Sequence, residues 1–322
     1  MKRIFLSVYF LGFLSFFAFN SCSHEKEKSY RVVETYRIKS SNESKSRLSV
    51  DLPISYGYQT ISEINIKNAD ESFFEERDGY KTLHVNVKGS SEEEEISIEY
   101  FVTLLNDKCN WKGDPEEKHL IPGEFIDSDD KNIIDLAGTL KADGNDFKTA
   151  ENISRYVTKN IKFDRSPKMN GRTPLASEVL ESKKGVCRDY ANLMTALLRA
   201  SGIPAKNISG LSLKNLKRSS DWSSSGGSHA WVEFCIGKEW YFADPSWGHR
   251  YFTHSDGYHL SYGSQPVNLD SQAYQENLNK DENKERALIA SMTAPIRFTV
   301  WSEDNKASVT PKVSITVSNK KE

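Results

Sequence analysis

The chain has 322 residues, of which 43 are Lys or Arg and 45 are Asp or Glu, for a formal net charge of −2. That balance lacks the basic excess of a nucleic-acid binder, and no nucleic-acid partner is expected. A hydrophobic fraction of 37% with 11% aromatics supports a globular core, and the one long apolar run lies at the start, which excludes a multi-span membrane protein.

Lys2 and Arg3 precede an almost wholly apolar stretch over 4–19, followed by Asn20, Ser21 and Cys22. A positive start, a short apolar segment and a small residue read as a secretory signal. Ser21 directly before Cys22 resembles a bacterial lipoprotein signal. That resemblance implies loss of residues 1–21, lipidation of Cys22, and 22–29 as a tether. The protein would then be exported and lipid-anchored to a bacterial membrane, on its periplasmic or cell-surface face. Each buried acyl CH₂ contributes about 0.8 kcal/mol to such anchoring. An ordinary signal peptide cleaved nearby is the alternative.

Residues 30–38, 47–52, 60–66, 82–87 and 96–105 are rich in β-formers and separated by Ser, Asn, Asp and Gly clusters. Leu83, Val85 and Val87 alternate with polar residues, as do Ile96, Ile98 and Tyr100, the period of strands with one buried face. A small antiparallel sandwich over 30–108 is expected, with the acidic run 92–95 as a solvated turn. Residues 109–126 read as a linker. Asp127 to Asp130 offer N-caps for a helix with Ile133, Ile134, Leu136, Ala137 and Leu140 as its stripe. After Gly144 a second helix starts near Asp146, with Phe147, Ala150, Ile153, Tyr156, Val157 and Ile161 on its apolar side.

The informative stretch is Gly185-Val186-Cys187-Arg188-Asp189-Tyr190-Ala191. Tyr190, Leu193, Met194, Leu197 and Leu198 follow one helix face, and Gly202 and Pro204 mark its end. Extrapolated back, Cys187 lies in the first turn, where unpaired N–H groups and the positive end of the dipole favour a thiolate. Gly185 would allow another chain or a substrate to approach closely. An inert packing cysteine is the alternative at this point.

Ala230, Val232, Phe234 and Ile236 alternate, which makes a strand with His229 on the opposite face. Gly237-Lys238 suits a two-residue hairpin turn, and 239–244 returns, ended by Pro245. That register sets Trp231 opposite Asp244 and His229 diagonal to it, within reach of a His–carboxylate contact. A one-residue slip would separate them. The expectation is that Cys187 attacks a carbonyl carbon, His229 handles its proton, and Asp244 holds the imidazole in one tautomer.

These segments, with 198–206 and Asp244-Pro245-Ser246-Trp247, resemble the transglutaminase-like superfamily in its bacterial form. The resemblance covers roughly 125–250 and implies an α+β, papain-like core with the nucleophile helix packed on an antiparallel sheet. It makes Cys187, His229 and Asp244 the triad of a core spanning 127–250, preceded by the small all-β sandwich. It also implies a thioester, resolved either by water or by an amine. Animal transglutaminases use a Trp upstream of the Cys, and here none lies between Trp111 and Cys187. Hydrolysis of a peptide or amide is therefore preferred over acyl transfer, and a catalytically silent binding scaffold is the reading from another class.

Trp222, on a Ser/Gly-rich loop, and Trp231 are candidate substrate-binding residues. His249, His254 and His259 are spaced by five, which aligns on no helix face, so they read as surface or cleft-rim residues. Neither a metal nor a cofactor is expected. Cys109 and Cys235 could pair outside the cytoplasm, although two separate buried thiols is the preferred reading. Residues 251–322 form an extension whose segments 296–301 and 309–317 read as strands, completing the core sheet or forming an appended hairpin.

Overall fold

The computed structural model describes residues 26–38, 46–69, 71–77, 80–87, 94–164, 173–214, 220–221, 227–264, 287–291, 298–302 and 312–319. The segments carrying the signal sequence, Cys22 and Trp222 lie outside these residues. Among the described residues no helix is long and apolar enough to cross a membrane.

Six strands open the chain: β1 (Glu27–Ile38), β2 (Ser46–Leu52), β3 (Gln59–Lys67), β4 (Glu71–Arg77), β5 (Tyr80–Val87) and β6 (Glu94–Leu105). Alternate residues of β6, Ile96, Ile98, Tyr100, Val102 and Leu104, are fully buried. They meet Val32 and Tyr36 of β1, Leu48 and Val50 of β2, and Leu83 and Val85 of β5 in one core. Each such apolar side chain contributes about 1.5–3 kcal/mol by leaving water. Two five-stranded sheets thus face each other, as the alternation predicts. β4 shows no period of two in the sequence, because its Phe73 and Phe74 are adjacent and both exposed.

Three sequence boundaries need correction. The tether ends early, since Glu27, Lys28 and Ser29 already pair with Leu105, Leu104 and Thr103. The expected linker contains β7 (Asn110–Lys112), which joins the edge of a third sheet. The predicted C-terminal strands, observed at 298–302 and 312–319, join the two sandwich sheets rather than the third sheet.

Helices and the third sheet follow. α1 (Lys131–Leu140) is capped by Asp130, whose carboxylate accepts from the Asn132 and Ile133 N–H groups. Asn145 caps α2 (Asp146–Asn160) through the Lys148 N–H. β8 (Lys162–Phe163) pairs in parallel with β9 (Lys184–Gly185), after α3 (Ala176–Ser182). α4 (Cys187–Ala200) then runs across the sheet made by β10 (Ala205–Ser212), β12 (Ser228–Ile236), β13 (Glu239–Ala243) and β14 (His259–Ser264), with β11 (Ser220–Asp221) between β10 and β12 in sequence. Strand order is β14-β10-β12-β13-β7.

α4 is buried on every side from Asp189 to Leu198. Its long apolar face was legible; Ala191 and Ala196 on the other sides are small enough to accept the neighbouring helices and strands. β12 is covered on both faces. Ala230, Val232 and Phe234 join the helix-side core, while Trp231 packs in a second cluster with Tyr58, Ile208 and Phe242.

β15 (Ala287–Ser291), β16 (Phe298–Ser302) and β17 (Lys312–Asn319) return to the sandwich. β16 pairs with β2, and β17 pairs with β1 along Tyr30↔Asn319 to Arg37↔Lys312. The sandwich is also joined to the third sheet through a buried carboxylate. Glu34 accepts hydrogen bonds from the hydroxyls of Tyr36, Tyr100 and Tyr262, the last from β14. Burial pushes the Glu34 carboxyl up despite these three donors.

Candidate active site

Cys187 is the first residue of α4 and is half-buried. The helix start is fixed by Asp189, whose Oδ2 accepts from the Val186 N–H at 2.9 Å. This is the return contact of a capping box. Gly185 serves that contact rather than an incoming chain. A Cβ placed there would lie 2.6 Å from the Asp189 Cβ.

The β12–β13 hairpin has the predicted register, Ile236↔Glu239 around Gly237 (φ +66°) and Val232↔Ala243 further in. Continued by one pair, it sets Trp231 against Asp244 and His229 diagonal to the carboxylate. His229 Nε2 lies 2.7 Å from Asp244 Oδ2, both groups being buried. The Cys187 side chain is the next group that acts to raise the imidazole's pKa. The structure therefore joins His229 to Asp244 and places Cys187 at the first turn of α4.

Asp244 is densely solvated by protein. Its Oδ1 accepts from the Ser246 N–H, the Ser246 hydroxyl and the Trp247 N–H, and Oδ2 faces both His229 and His259. Burial alone would raise its pKa, but the charge and hydrogen bond of His229, with those of His259, hold the carboxyl well below the usual range. Burial likewise works against a charged His229. The Asp244 charge and hydrogen bond, followed by Cys187, outweigh it and push the imidazole up to about 10. Trp247 stacks on His229 with centroids 4.6 Å apart and 26° between planes. It shields the His–Asp contact, and shielding strengthens an ion pair.

Trp231 is corrected: it binds no substrate from its position. Its side chain is fully buried, and its indole N–H donates to the Tyr58 hydroxyl at 2.9 Å. Tyr58 in turn donates to Glu233, which is paired with Lys206. The three-histidine spacing also dissolves. His249 faces Glu151 at 3.5 Å, and the His254 ring lies 3.3 Å from the Phe252 carbonyl, whereas His259 is completely buried beside Asp244 rather than at a cleft rim. No local signal marks His259. It arrives through β14–β10 pairing, opposite Ser212. Cys109 and Cys235 are separate, free, buried thiols, and burial pushes both up, which makes them poor nucleophiles.

His229, Asp244 and His259 offer one ligand atom each within 4.8 Å of one another. Two ligands of one tetrahedral ion at zinc-like bond lengths would stand about 3.3 Å apart. The 2.7 Å His229–Asp244 distance is hydrogen-bond spacing, so the cluster fits a proton-linked triad better than a metal centre.

Residues 134–245 match the sequence model of the transglutaminase-like superfamily, so this segment is a transglutaminase-like domain. A Haemophilus influenzae protein of uncharacterized function is 25% identical over 245 residues, covering 64% of this chain and 65% of that one. A UPF0252 protein of Methanocaldococcus jannaschii is 44% identical over 71 residues, 19% of this chain and 20% of the relative. The chain thus spans 65% and 20% of these two relatives. Among solved structures, that of a putative cysteine protease from Cytophaga hutchinsonii superposes with a TM-score of 0.55 at 14% identity, covering 91% of both chains. The likeness to it is one of fold: an α+β core with nearly all of the surrounding β structure.

Proposed function

We propose that the protein is an exported, membrane-anchored cysteine hydrolase of peptide or amide bonds. The observation that carries this reading is the His229–Asp244 contact of 2.7 Å, with Cys187 at the tip of α4. Cys187, as thiolate, attacks the substrate carbonyl carbon. The resulting oxyanion is stabilised by donors that include the Cys187 backbone N–H; one such donor is worth about 3–4 kcal/mol. Collapse breaks the C–N bond, and His229 gives its Nδ1 proton to the departing amine, leaving a thioester. Water then attacks the thioester while His229 takes a proton from it. The acid leaves, and the sulfur is freed. Asp244 keeps Nε2 protonated, so that Nδ1 faces the sulfur.

The fold shared with the Cytophaga hutchinsonii protein supports hydrolysis. The superfamily match favours a second reading, in which an amine rather than water resolves the thioester. A thiol-reactive amide probe is expected to label Cys187, to lose that label in Cys187→Ala, and to label His229→Ala more slowly. Labelling no faster than at Cys109 and Cys235 would leave a silent scaffold. Turnover with an added primary amine separates the two reactions: free acid supports hydrolysis, and a new amide supports transfer.

Anchoring belongs to the same proposal and rests on Ser21-Cys22 behind an apolar segment. In a bacterial host, Cys22→Ala is expected to move the protein from the membrane fraction to the soluble one. Unchanged membrane association would sink the lipid anchor.

A further inference from the structure

His259 stands outside the triad and is fully buried, yet both of its ring nitrogens face carboxylates. Nε2 lies 3.2 Å from Asp244 Oδ2, the oxygen that His229 also uses. Nδ1 lies 3.2 Å from Asp256 Oδ1. A ring held at both ends cannot rotate about its Cβ–Cγ bond without breaking one contact. Aromatic neighbours restrict it further: Trp247 and Phe242 lie with centroids 4.5 and 4.9 Å from the imidazole, and Trp231 meets it edge-on at 5.1 Å.

Asp256 is itself fixed. Its Oδ2 accepts from the Tyr251 hydroxyl at 3.0 Å and lies 3.8 Å from Lys214 Nζ. The Lys28 ammonium donates to its backbone carbonyl, which ties the segment to β1. Asp256 also lines a cavity of about 630 Å³ with Lys26, Asp107, Lys214 and Arg250. A continuous chain of contacts therefore runs from that cavity through Asp256 and His259 to the buried Asp244.

We propose that His259 is a positioning residue for the triad, and that Asp256 orients it. Asp244 has one oxygen anchored by the turn, through Ser246 and Trp247, and the other shared by two imidazoles. With His259 present, Oδ2 stays at the point where His229 Nε2 needs it. Without His259 that side of the carboxylate faces an apolar wall, and the oxygen is free to swing off the line toward His229. This inference rests on the reading of Cys187, His229 and Asp244 as a catalytic triad, and it adds a fourth and a fifth residue to it.

The test uses the full chain and a cleavable amide substrate, with Cys187→Ala run beside each variant. Partners that orient metal-binding histidines and carboxylates from behind contribute about 10–100-fold, and the same scale is expected for this carboxylate. His259→Leu, which removes the donor, is expected to lower kcat by that amount with KM changed less than about twofold. His259→Gln, whose amide N–H can still reach Asp244, is expected to recover most of the loss. Asp256→Asn keeps an acceptor for His259 and is expected to fall between the two. A purely structural role would lower stability without this kcat-selective loss or the rescue by Gln. A well-folded His259→Leu protein with parental kcat overturns the inference alone, provided that Cys187→Ala is inactive. Where His259→Leu fails to fold, parental kcat in both His259→Gln and Asp256→Asn overturns it as well. Full turnover in Cys187→Ala overturns the triad reading and this inference together.

Discussion

Asp244→Asn is expected to lower kcat on an amide substrate by about four orders of magnitude, the scale of the same change in a Ser-His-Asp enzyme. The cause is tautomeric. Oδ1 accepts three hydrogen bonds from Ser246 and Trp247, so the carbonyl of an asparagine settles on that side. Its NH₂ then faces His229 Nε2, which must become an acceptor. The ring proton moves to Nδ1, toward Cys187, and His229 can no longer take a proton from the sulfur. The variant also changes the pH response. Asp244 is the chief opposing charge that holds His229 up to about 10, so parental activity is expected to fall as pH rises through that value. In Asp244→Asn any residual activity should lose its proton-dependent limb at a lower pH. Stability follows the same linkage. A raised imidazole stabilises the fold fully below its ordinary 6.5, and the benefit is lost as pH rises toward about 10. A depressed carboxyl contributes above its ordinary 3.8 and loses that contribution on acidification. The Tm gap between parent and Asp244→Asn should therefore be widest between these two ordinary values and should narrow as pH rises beyond 6.5. A gap that widens toward pH 10 would contradict the ion pair.

Gly210→Ala is expected to be the most damaging single methyl group in the third sheet. A Cβ there would sit 2.1 Å from the Trp231 Cη2 and 2.2 Å from the Leu260 carbonyl oxygen. One obstacle is backbone. The other is an indole that is fully buried and hydrogen-bonded to Tyr58, so neither can yield cheaply. Overpacking of this kind costs about 1–3 kcal/mol, and this position belongs at or above the upper end. Gly210 is also the cross-strand partner of His229, so the displaced strand carries the imidazole with it. Urea unfolding should show a lower midpoint, and thiol-probe labelling of Cys187 should slow in parallel. Gly138→Ala is the control. It lies inside α1 with nothing within 4 Å of its Cβ position, and should gain roughly 0.5–1 kcal/mol. A Gly210→Ala protein as stable as the parent would mean that the Trp231 ring does not cross β10 as described.

The His229–Asp244 contact and the place of Cys187 at the start of α4 were legible because local chemistry fixes each of them. The Gly237-Lys238 turn sets the hairpin register, and period two then puts His229 and Asp244 on one face. The spacing of Tyr190, Leu193, Met194 and Leu197 runs the helix back to Cys187. What was illegible depends on pairing across long stretches of chain. His259 reaches Asp244 only because β14 lies against β10. Trp231 shares the exposed-looking face of β12 with His229 and Glu233, and only the tertiary arrangement brings Tyr58 over that face, where it bonds Trp231 and Glu233. The final strands read correctly as strands. Their partners, β1 and β2, lie at the other end of the sequence, where no periodicity could point to them.

That last pairing has a consequence for how the molecule is made. Asn319 meets Tyr30, and Phe298 meets Val50, so two seams of the sandwich join residues separated by almost the whole polypeptide. During synthesis β1 and β2 emerge first and must wait, each with an open hydrogen-bonding edge, until nearly every other residue has been added. Open edges of this kind recruit wrong partners. The long wait makes the nascent protein's early strands the natural place for a holding chaperone to act.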